Sequence, residues 1–157
     1  MDSDSRPVLI AYDGSPESRV AVTTAVAFFQ GHTLVVLTAW EPGLADLLAG
    51  ASGVALRSSS GALTAETARV GHDEVAELAR TGTELAESHG ATAEALAVND
   101  SAGVASAIAL EAERLDVCAV VIGSRGLGRV RAPLLGSTSQ ALLRSTTRPV
   151  VVVRASH

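Results

Sequence analysis

The chain has 157 residues, which suits a single domain, and 47% of them are apolar although only 3% are aromatic. The formal net charge of −5 argues against nucleic-acid binding, because a basic surface supplies most of the affinity for a phosphate backbone. A single cysteine, Cys118, excludes a disulfide within the chain and is expected to be a small core residue.

The sequence shows neither a membrane segment nor a secretory signal. No apolar run approaches the roughly 18 residues that a spanning helix requires. The opening MDSDSRP is polar and acidic, and it lacks the apolar region of a signal peptide. We therefore expect a cytoplasmic protein without membrane contact, with a flexible tail over residues 1–6.

Five stretches are predicted to form strands because they are apolar over successive residues. They are 8–13, 33–40, 92–98, 117–123 and 149–154. Continuous apolar runs of this length are typical of parallel strands that are covered on both faces. The third is the weakest, being rich in alanine and interrupted by Glu94.

Helical patterns fill the intervals between these strands. The first helix begins after Ser15, which can cap it, with Pro16 at its first position, and it ends near Gly31. Asp100 or Ser101 is expected to cap the third helix. The remaining helices are predicted over 64–89, 101–115 and 137–146.

This alternation of strands and helices predicts a single doubly wound, Rossmann-like α/β domain with right-handed crossovers. The segment 41–63 interrupts the alternation, since it is rich in glycine and serine and has little periodicity. We predict a long mobile loop there, with a short helix at 44–49.

A glycine-rich stretch, GSRGLGRVRAPLLGSTSQ (123–140), follows the fourth strand. In open α/β sheets, ligands bind outside the carboxyl ends of the strands, where the strand order reverses. Gly123 and Gly126 would let backbone N–H groups approach a ligand, and a helix opening at Gly136 would attract an anion. The hydroxyl groups of Ser137, Thr138 and Ser139 add donors.

Two interpretations of this stretch stay open from the residues alone: a phosphate or nucleotide cradle, or a flexible turn with Ser137 as a plain helix cap. It is not a Walker A loop, because Ser137 follows Gly136 directly with no lysine between them. It is not the dinucleotide fingerprint either, because Arg131 stands where the third glycine would be.

Asp13 ends the first predicted strand within the sequence DGS. Its carboxylate could accept hydrogen bonds from ribose hydroxyls or help to hold Mg²⁺. The alternative is a local role, since an aspartate in this setting often forms an Asx turn.

The stretch 123–137 has the spacing G-x2-G-x9-G-S, which resembles the ATP-binding signature of the universal stress protein family. The segments VLIAYDGS, DVCAVVIGSRG and RPVVVVR are similar to that family as well, so the resemblance covers about 7–154. It implies a five-stranded parallel sheet of order 3-2-1-4-5. ATP, or alternatively ADP or AMP, would lie with Mg²⁺ across the crevice between strands 1 and 4.

The resemblance also implies a role for individual residues by position. Asp13 would contact the ribose or the metal, Ala11 and Tyr12 would line the nucleoside site, and Ala39 would contact adenine largely through its backbone. The residues beside the ribose and phosphates would be Ile122, Gly123 and Gly126, and those holding the phosphates Gly136, Ser137, Thr138 and Ser139. Arg125, Arg129 and Arg131 either reach the phosphates or form a solvated loop face, and of the three we select Arg125 as a nucleotide-binding residue.

The sequence contains no convincing set of groups for hydrolysis: no paired carboxylates, no Ser/His/Asp arrangement and no Walker lysine. Our first hypothesis is a nucleotide-dependent sensor or switch in the stress response, with at most slow ATP hydrolysis. The second is a dimeric interaction module in which the nucleotide is structural or absent, and the third is a genuine small ATPase or nucleotidyl-transfer enzyme. The family resemblance implies a homodimer through strand 149–154, and an apolar edge strand supports this independently.

Overall fold

The fold is a five-stranded parallel sheet of order β3-β2-β1-β4-β5 with helices on both faces, as predicted. The computed structural model describes residues 5–40, 62–100, 102–125 and 135–155. The strands are β1 (Val8–Ala11), β2 (Leu34–Trp40), β3 (Ala93–Asn99), β4 (Ala119–Gly123) and β5 (Val150–Val153). The helices are α1 (Pro16–Phe28), α2 (Ala62–Ser88), α3 (Val104–Arg114) and α4 (Ser137–Ser145).

The sheet separates two apolar clusters, which explains why its strands are apolar on successive residues. The first cluster joins Val8 and Ile10 to residues of α1 and α2, and the second joins Leu9 to residues of α3 and α4. Val8, Leu9 and Ile10 are thus fully buried on both faces of β1, as the continuous apolar pattern predicts. Cys118 is half-buried and packs against the first cluster.

The two edge strands are less buried than the central ones. In β3, Glu94 and Ala95 are exposed, which accounts for the weak apolar pattern of that strand. In β5, three of the four valines are partly buried. No helix in the described part of the chain is long and apolar enough to cross a membrane.

The start of α3 differs from the prediction. Its N-cap is Gly103, which has a φ of 104° and no side chain to cap the helix. Asp100 instead accepts a hydrogen bond from the backbone N–H of Ala102 at 2.7 Å, in a turn that precedes the helix. Ser101 lies outside the described residues. The prediction that Asp100 caps α3 is therefore wrong, because the chain makes a separate turn before the helix begins.

The starts of α1 and α4 can also be compared with the sequence. Ser15 caps α1 as predicted, with its hydroxyl accepting from the N–H of Ser18 at 3.1 Å. The N-cap of α4 is Gly136, so Ser137 is the first helical residue and not the cap. The predicted loop at 41–63 and short helix at 44–49 lie mostly outside the described residues, and α2 begins at Ala62.

Candidate functional site

The strand order reverses between β1 and β4, so a crevice is expected where these strands end. Three backbone segments meet at this place: the turn from β1 into α1, the residues that follow β4, and the start of α4. The structure brings the last two together directly, because the N–H of Gly136 donates to the carbonyl oxygen of Ser124 at 2.7 Å. This bond holds the start of α4 against the end of β4.

The turn from β1 into α1 is held by its own side chains. Asp13 Oδ1 accepts from the N–H of Ser15 at 3.0 Å, and Gly14 has a φ of +78°. Asp13 therefore forms the Asx turn that was one of its two predicted roles. The two roles are compatible, because a carboxylate has two oxygens and the turn uses one of them.

The start of α4 has a different arrangement. Gly136 provides no side-chain acceptor for the first turn of the helix. The hydroxyl of Ser139 is buried and donates back to the carbonyl oxygen of Gly136 at 2.9 Å. Ser137 is exposed and Thr138 is half-buried. The amino end of α4 thus lacks a side-chain cap beside the end of β4, which is the arrangement expected of an anion site.

The glycines of the G-x2-G-x9-G-S spacing are required for different structural reasons. A Cβ atom at Gly123 would lie 2.8 Å from Glu17 Cβ, so this glycine lets the first turn of α1 pack against β4. A Cβ atom at Gly136 would lie 3.2 Å from the carbonyl oxygen of Ser124, which is a tight but milder contact. Gly126 lies outside the described residues, as do Arg129 and Arg131. Arg125 is described, and it is half-buried directly after β4.

The predicted nucleoside residues divide between the two faces of the sheet. Ala11, Ala39 and Ile122 all pack in the second cluster, on the face covered by α3 and α4. The side chain of Tyr12 instead belongs to the first cluster, where it is 3% exposed. Its ring lies against α2, since a Cβ atom at Gly82 would come within 2.9 Å of it. The backbone of Tyr12, and not its side chain, therefore lies at the carboxyl edge of the sheet.

Thr38 is a residue of this edge that sequence reasoning missed. Its buried hydroxyl donates to the carbonyl oxygen of Tyr12 at 2.9 Å and ties the end of β1 to β2. The available signal was a single threonine inside the otherwise apolar stretch LVVLTAW. Within the described ranges, no group of three or more His, Cys, Asp or Glu side chains could hold a metal ion.

The fold is that of a doubly wound α/β domain, with a candidate binding site at the carboxyl ends of its central strands. The model of the universal stress protein family matches residues 5–154, and the chain belongs to that family. No protein with a curated description matches the sequence.

Solved structures share this fold at low sequence identity. The universal stress protein UspA from Lactobacillus plantarum is 17% identical, with 98% of this chain and 100% of that chain covered and a TM-score of 0.71. The universal stress protein from Archaeoglobus fulgidus in complex with dAMP is 16% identical, with coverages of 94% and 97% and a TM-score of 0.59. A family protein from Arabidopsis thaliana with AMP bound is also 16% identical, with coverages of 96% and 92% and a TM-score of 0.59.

Proposed function

We propose that this protein binds an adenine nucleotide across the crevice between β1 and β4 and acts as a nucleotide-dependent switch in the stress response. ATP is the first candidate, and ADP and AMP are the alternatives. The observation that carries the proposal is the amino end of α4, which has no side-chain cap and is held against the end of β4. The dAMP and AMP complexes of the two relatives support an adenine nucleotide as the ligand.

The phosphates are assigned to the start of α4. A helix amino end carries a partial positive charge of about half a unit and unpaired N–H groups. The exposed Ser137 and the half-buried Thr138 add hydroxyl donors beside these N–H groups. Gly136 lets the start of α4 lie close to the end of β4, because a Cβ atom there would come within 3.2 Å of the carbonyl oxygen of Ser124.

The ribose or a phosphate-bound Mg²⁺ is assigned to Asp13. This carboxylate is half-buried at the end of β1, and the turn into α1 fixes its position through one oxygen. Mg²⁺ in nucleotide sites is usually held by one or two carboxylates together with the phosphates and waters, so a single aspartate fits this requirement. Mg²⁺ would neutralise phosphate charge, and Asp13 would orient the metal or the sugar.

We propose that turnover of ATP is slow at most. Rapid hydrolysis needs a group that positions water and groups that stabilise charge on the transferred phosphoryl. Asp13 already holds the turn through Oδ1, which suits it to orienting a ligand. Binding alone stabilises the conformation that holds the nucleotide, and a switch needs no more than that.

The test is a calorimetric titration of nucleotide-free protein with Mg-ATP, Mg-ADP and AMP. We expect saturable binding of about one nucleotide per chain. The variant Gly136→Asp places a negative charge at the start of α4 and should weaken binding at least about 100-fold by repulsion of the phosphates. The control Gln30→Asp adds the same charge in the turn between α1 and β2, near the amino ends of the strands. This variant should bind nucleotide as the parent does.

Two results would contradict the proposal. One is a folded parent protein that binds none of the three nucleotides. The other is a Gly136→Asp variant that binds as tightly as the parent, which would separate the ligand from the start of α4. Hydrolysis is followed in the same samples by phosphate release, and fast turnover would favour the alternative of a genuine ATPase.

A second candidate function is a dimeric interaction module that pairs through β5. The carbonyl oxygens of Pro149 and Val153 accept from the N–H groups of Val120 and Ser124 at 2.8 and 2.6 Å. Odd-numbered residues of β5 therefore face β4 through their backbone. Val152 presents its N–H and C=O groups away from β4, which favours pairing with another strand.

The dimer is best tested through the backbone. All four valines of β5 pack in the two apolar clusters, so charged side chains there would damage the core. The variant Val152→Pro removes one outward N–H, a change that edge strands tolerate. We expect it to be monomeric by light scattering while the control Val152→Thr stays dimeric. A Val152→Pro variant with the mass of a dimer would exclude this interface.

A further inference from the structure

Asp100 is a buried carboxylate with one oxygen that has no hydrogen-bond partner among the described residues. The residue is only 4% exposed. Its Oδ1 accepts from the N–H of Ala102 at 2.7 Å, whereas Oδ2 is both buried and without a partner. An unsatisfied buried acceptor is costly, so such a group calls for a ligand or another explanation.

The position of Asp100 follows from the register of the sheet. Asn99, the last residue of β3, pairs with Trp40 at the end of β2. Leu96 and Val98 both pack in the second cluster, with Ala39 of the neighbouring strand. Because side chains alternate along a strand, Asp100 is the next residue on this same face. It therefore lies just past the carboxyl ends of β2 and β3, on the side where Ala39 lies.

The width of the sheet from β4 to β3 suits an extended nucleotide. Neighbouring strands are about 4.8 Å apart, so the step from β4 across β1 and β2 to β3 is roughly 14 Å. Phosphates at the start of α4 and a ribose near Asp13, at the end of β1, direct the base toward the ends of β2 and β3. The base would then reach the neighbourhood of Asp100.

We propose that Asp100 determines the specificity for adenine by accepting a hydrogen bond from its 6-amino group through Oδ2. This inference rests on the proposed nucleotide binding and adds the group that selects the base. Adenine presents an N–H donor at this position, whereas guanine and hypoxanthine present a carbonyl acceptor. A carboxylate only accepts hydrogen bonds, so a 6-oxo purine would leave Oδ2 unpaired and place two acceptors against each other.

The first measurement needs only the parent protein. Calorimetric titrations with Mg-ATP and with Mg-ITP, which differs from ATP by having a carbonyl group at position 6, compare the two bases directly. We expect ATP to bind at least about 10-fold more tightly than ITP, because a site built to bind an N–H donor rejects an analogue that lacks it.

The second measurement uses the variant Asp100→Asn. The N–H of Ala102 requires an acceptor, so the amide oxygen of the new side chain would occupy the place of Oδ1 and its NH₂ group the place of Oδ2. The base would then meet a donor, and the preference for ATP over ITP should disappear or reverse. The control Asp73→Asn, at an exposed position of α2, should keep the ratio of the parent. Thermal unfolding of each variant establishes that it is folded.

The outcomes separate this inference from the proposed function. A parent that binds ATP and ITP equally well, or a folded Asp100→Asn variant that keeps the parental ratio, would overturn the role of Asp100 while nucleotide binding stands. A parent that binds neither nucleotide would overturn the proposed function and this inference with it. A preference for ATP that is lost only in Asp100→Asn supports both.

Discussion

Helices α1 and α4 both begin at the carboxyl edge of the sheet, and their amino ends are capped differently. At α1, the hydroxyl of Ser15 accepts from the N–H of Ser18 at 3.1 Å. One of the first N–H groups of the helix, which have no acceptor within the helix, is thus satisfied by a side chain. At α4, Gly136 offers no such acceptor, and the nearby hydroxyl of Ser139 donates back to a carbonyl oxygen. The first amino end is capped by a side chain, whereas the second has no side-chain cap.

The difference arises from a shift of one residue between two similar sequences. The chain reads Gly-Ser-Pro at 14–16 and Gly-Ser-Thr at 136–138. In the first, helix α1 begins at Pro16, so the serine is the N-cap. In the second, helix α4 begins at Ser137, so the glycine is the N-cap. Similar residues therefore produce a self-capped helix in one place and a candidate phosphate site in the other.

The largest expected effect on the α1 side of this comparison is that of Gly123→Ala. The new Cβ atom would lie 2.8 Å from Glu17 Cβ and force α1 away from β4. Overpacking of this kind costs about 1–3 kcal/mol, so we expect the free energy of unfolding to fall by that amount in a urea titration. The control Gly136→Ala should cost less, because its nearest contact is 3.2 Å. Equal stability of the two variants would contradict the packing role of Gly123.

The next prediction converts α4 into a helix like α1. In Gly136→Ser, the new hydroxyl can accept from a first-turn N–H, as Ser15 does in α1. We expect nucleotide affinity to fall about 10-fold, because one donor to the phosphate is taken, while stability rises by a few tenths of a kcal/mol. The control Gly136→Ala adds the same Cβ without an acceptor. A similar loss of affinity in both variants would assign the effect to the Cβ atom instead of the cap.

The converse prediction removes the side-chain cap of α1. In Ser15→Ala, the N–H of Ser18 loses its acceptor in a buried place, since Ser15 is 1% exposed. The free energy of unfolding should fall by about 1 kcal/mol, and nucleotide affinity should change less than about 2-fold. The control Ser137→Ala removes an exposed hydroxyl from the first turn of α4 and should leave stability close to that of the parent. A Ser15→Ala variant that loses nucleotide binding would place α1 in the site.

The sheet and the cap of α1 could be predicted because their causes are local in the chain. Successive apolar residues in β1 report directly that both of its faces are covered. The sequence DGSP contains the turn, the cap and the first helical residue in consecutive positions. Neither inference needs knowledge of a distant segment.

The remaining features depend on contacts that no local pattern reports. Gly123 is required because Glu17 of another element lies against it. Side chains alternate along β1, so the side chain of Tyr12 lies on the sheet face that α2 covers. Gly82 of α2 leaves room for its ring there. The start of α3 could not be placed from the residues alone. Aspartate is a common N-cap residue, but Asp100 forms a turn that precedes the helix.

The smallest predicted effect concerns the other end of α4, which is tied to α3 by Arg148. This residue donates to Glu113 Oε2 at 2.7 Å and to Asp116 Oδ1 at 2.6 Å. Hydrogen bonds from Arg148, and then from Thr147, hold the pKa of Glu113 below its ordinary value of 4.5. A carboxyl group with a lowered folded-state pKa stabilises the protein above its unfolded-state pKa, and the contribution is lost as the pH falls through the folded-state pKa.

The variant Arg148→Met should therefore lower the melting temperature slightly at neutral pH, since the two carboxylates are exposed and solvent screens their pairs with Arg148. The difference from the parent should begin to shrink as the pH falls below about 4.5, and it should shrink further as the pH falls through the lowered folded-state pKa of Glu113 in the parent. Nucleotide affinity should not change, because Arg148 lies beyond the end of α4 that is opposite to the proposed phosphate site. The control Arg114→Met breaks an exposed pair with Glu111 within α3 and should have a still smaller effect. A gap in melting temperature that stays constant from neutral to acid pH would show that Arg148 acts through packing of its side chain and not through the charge of Glu113.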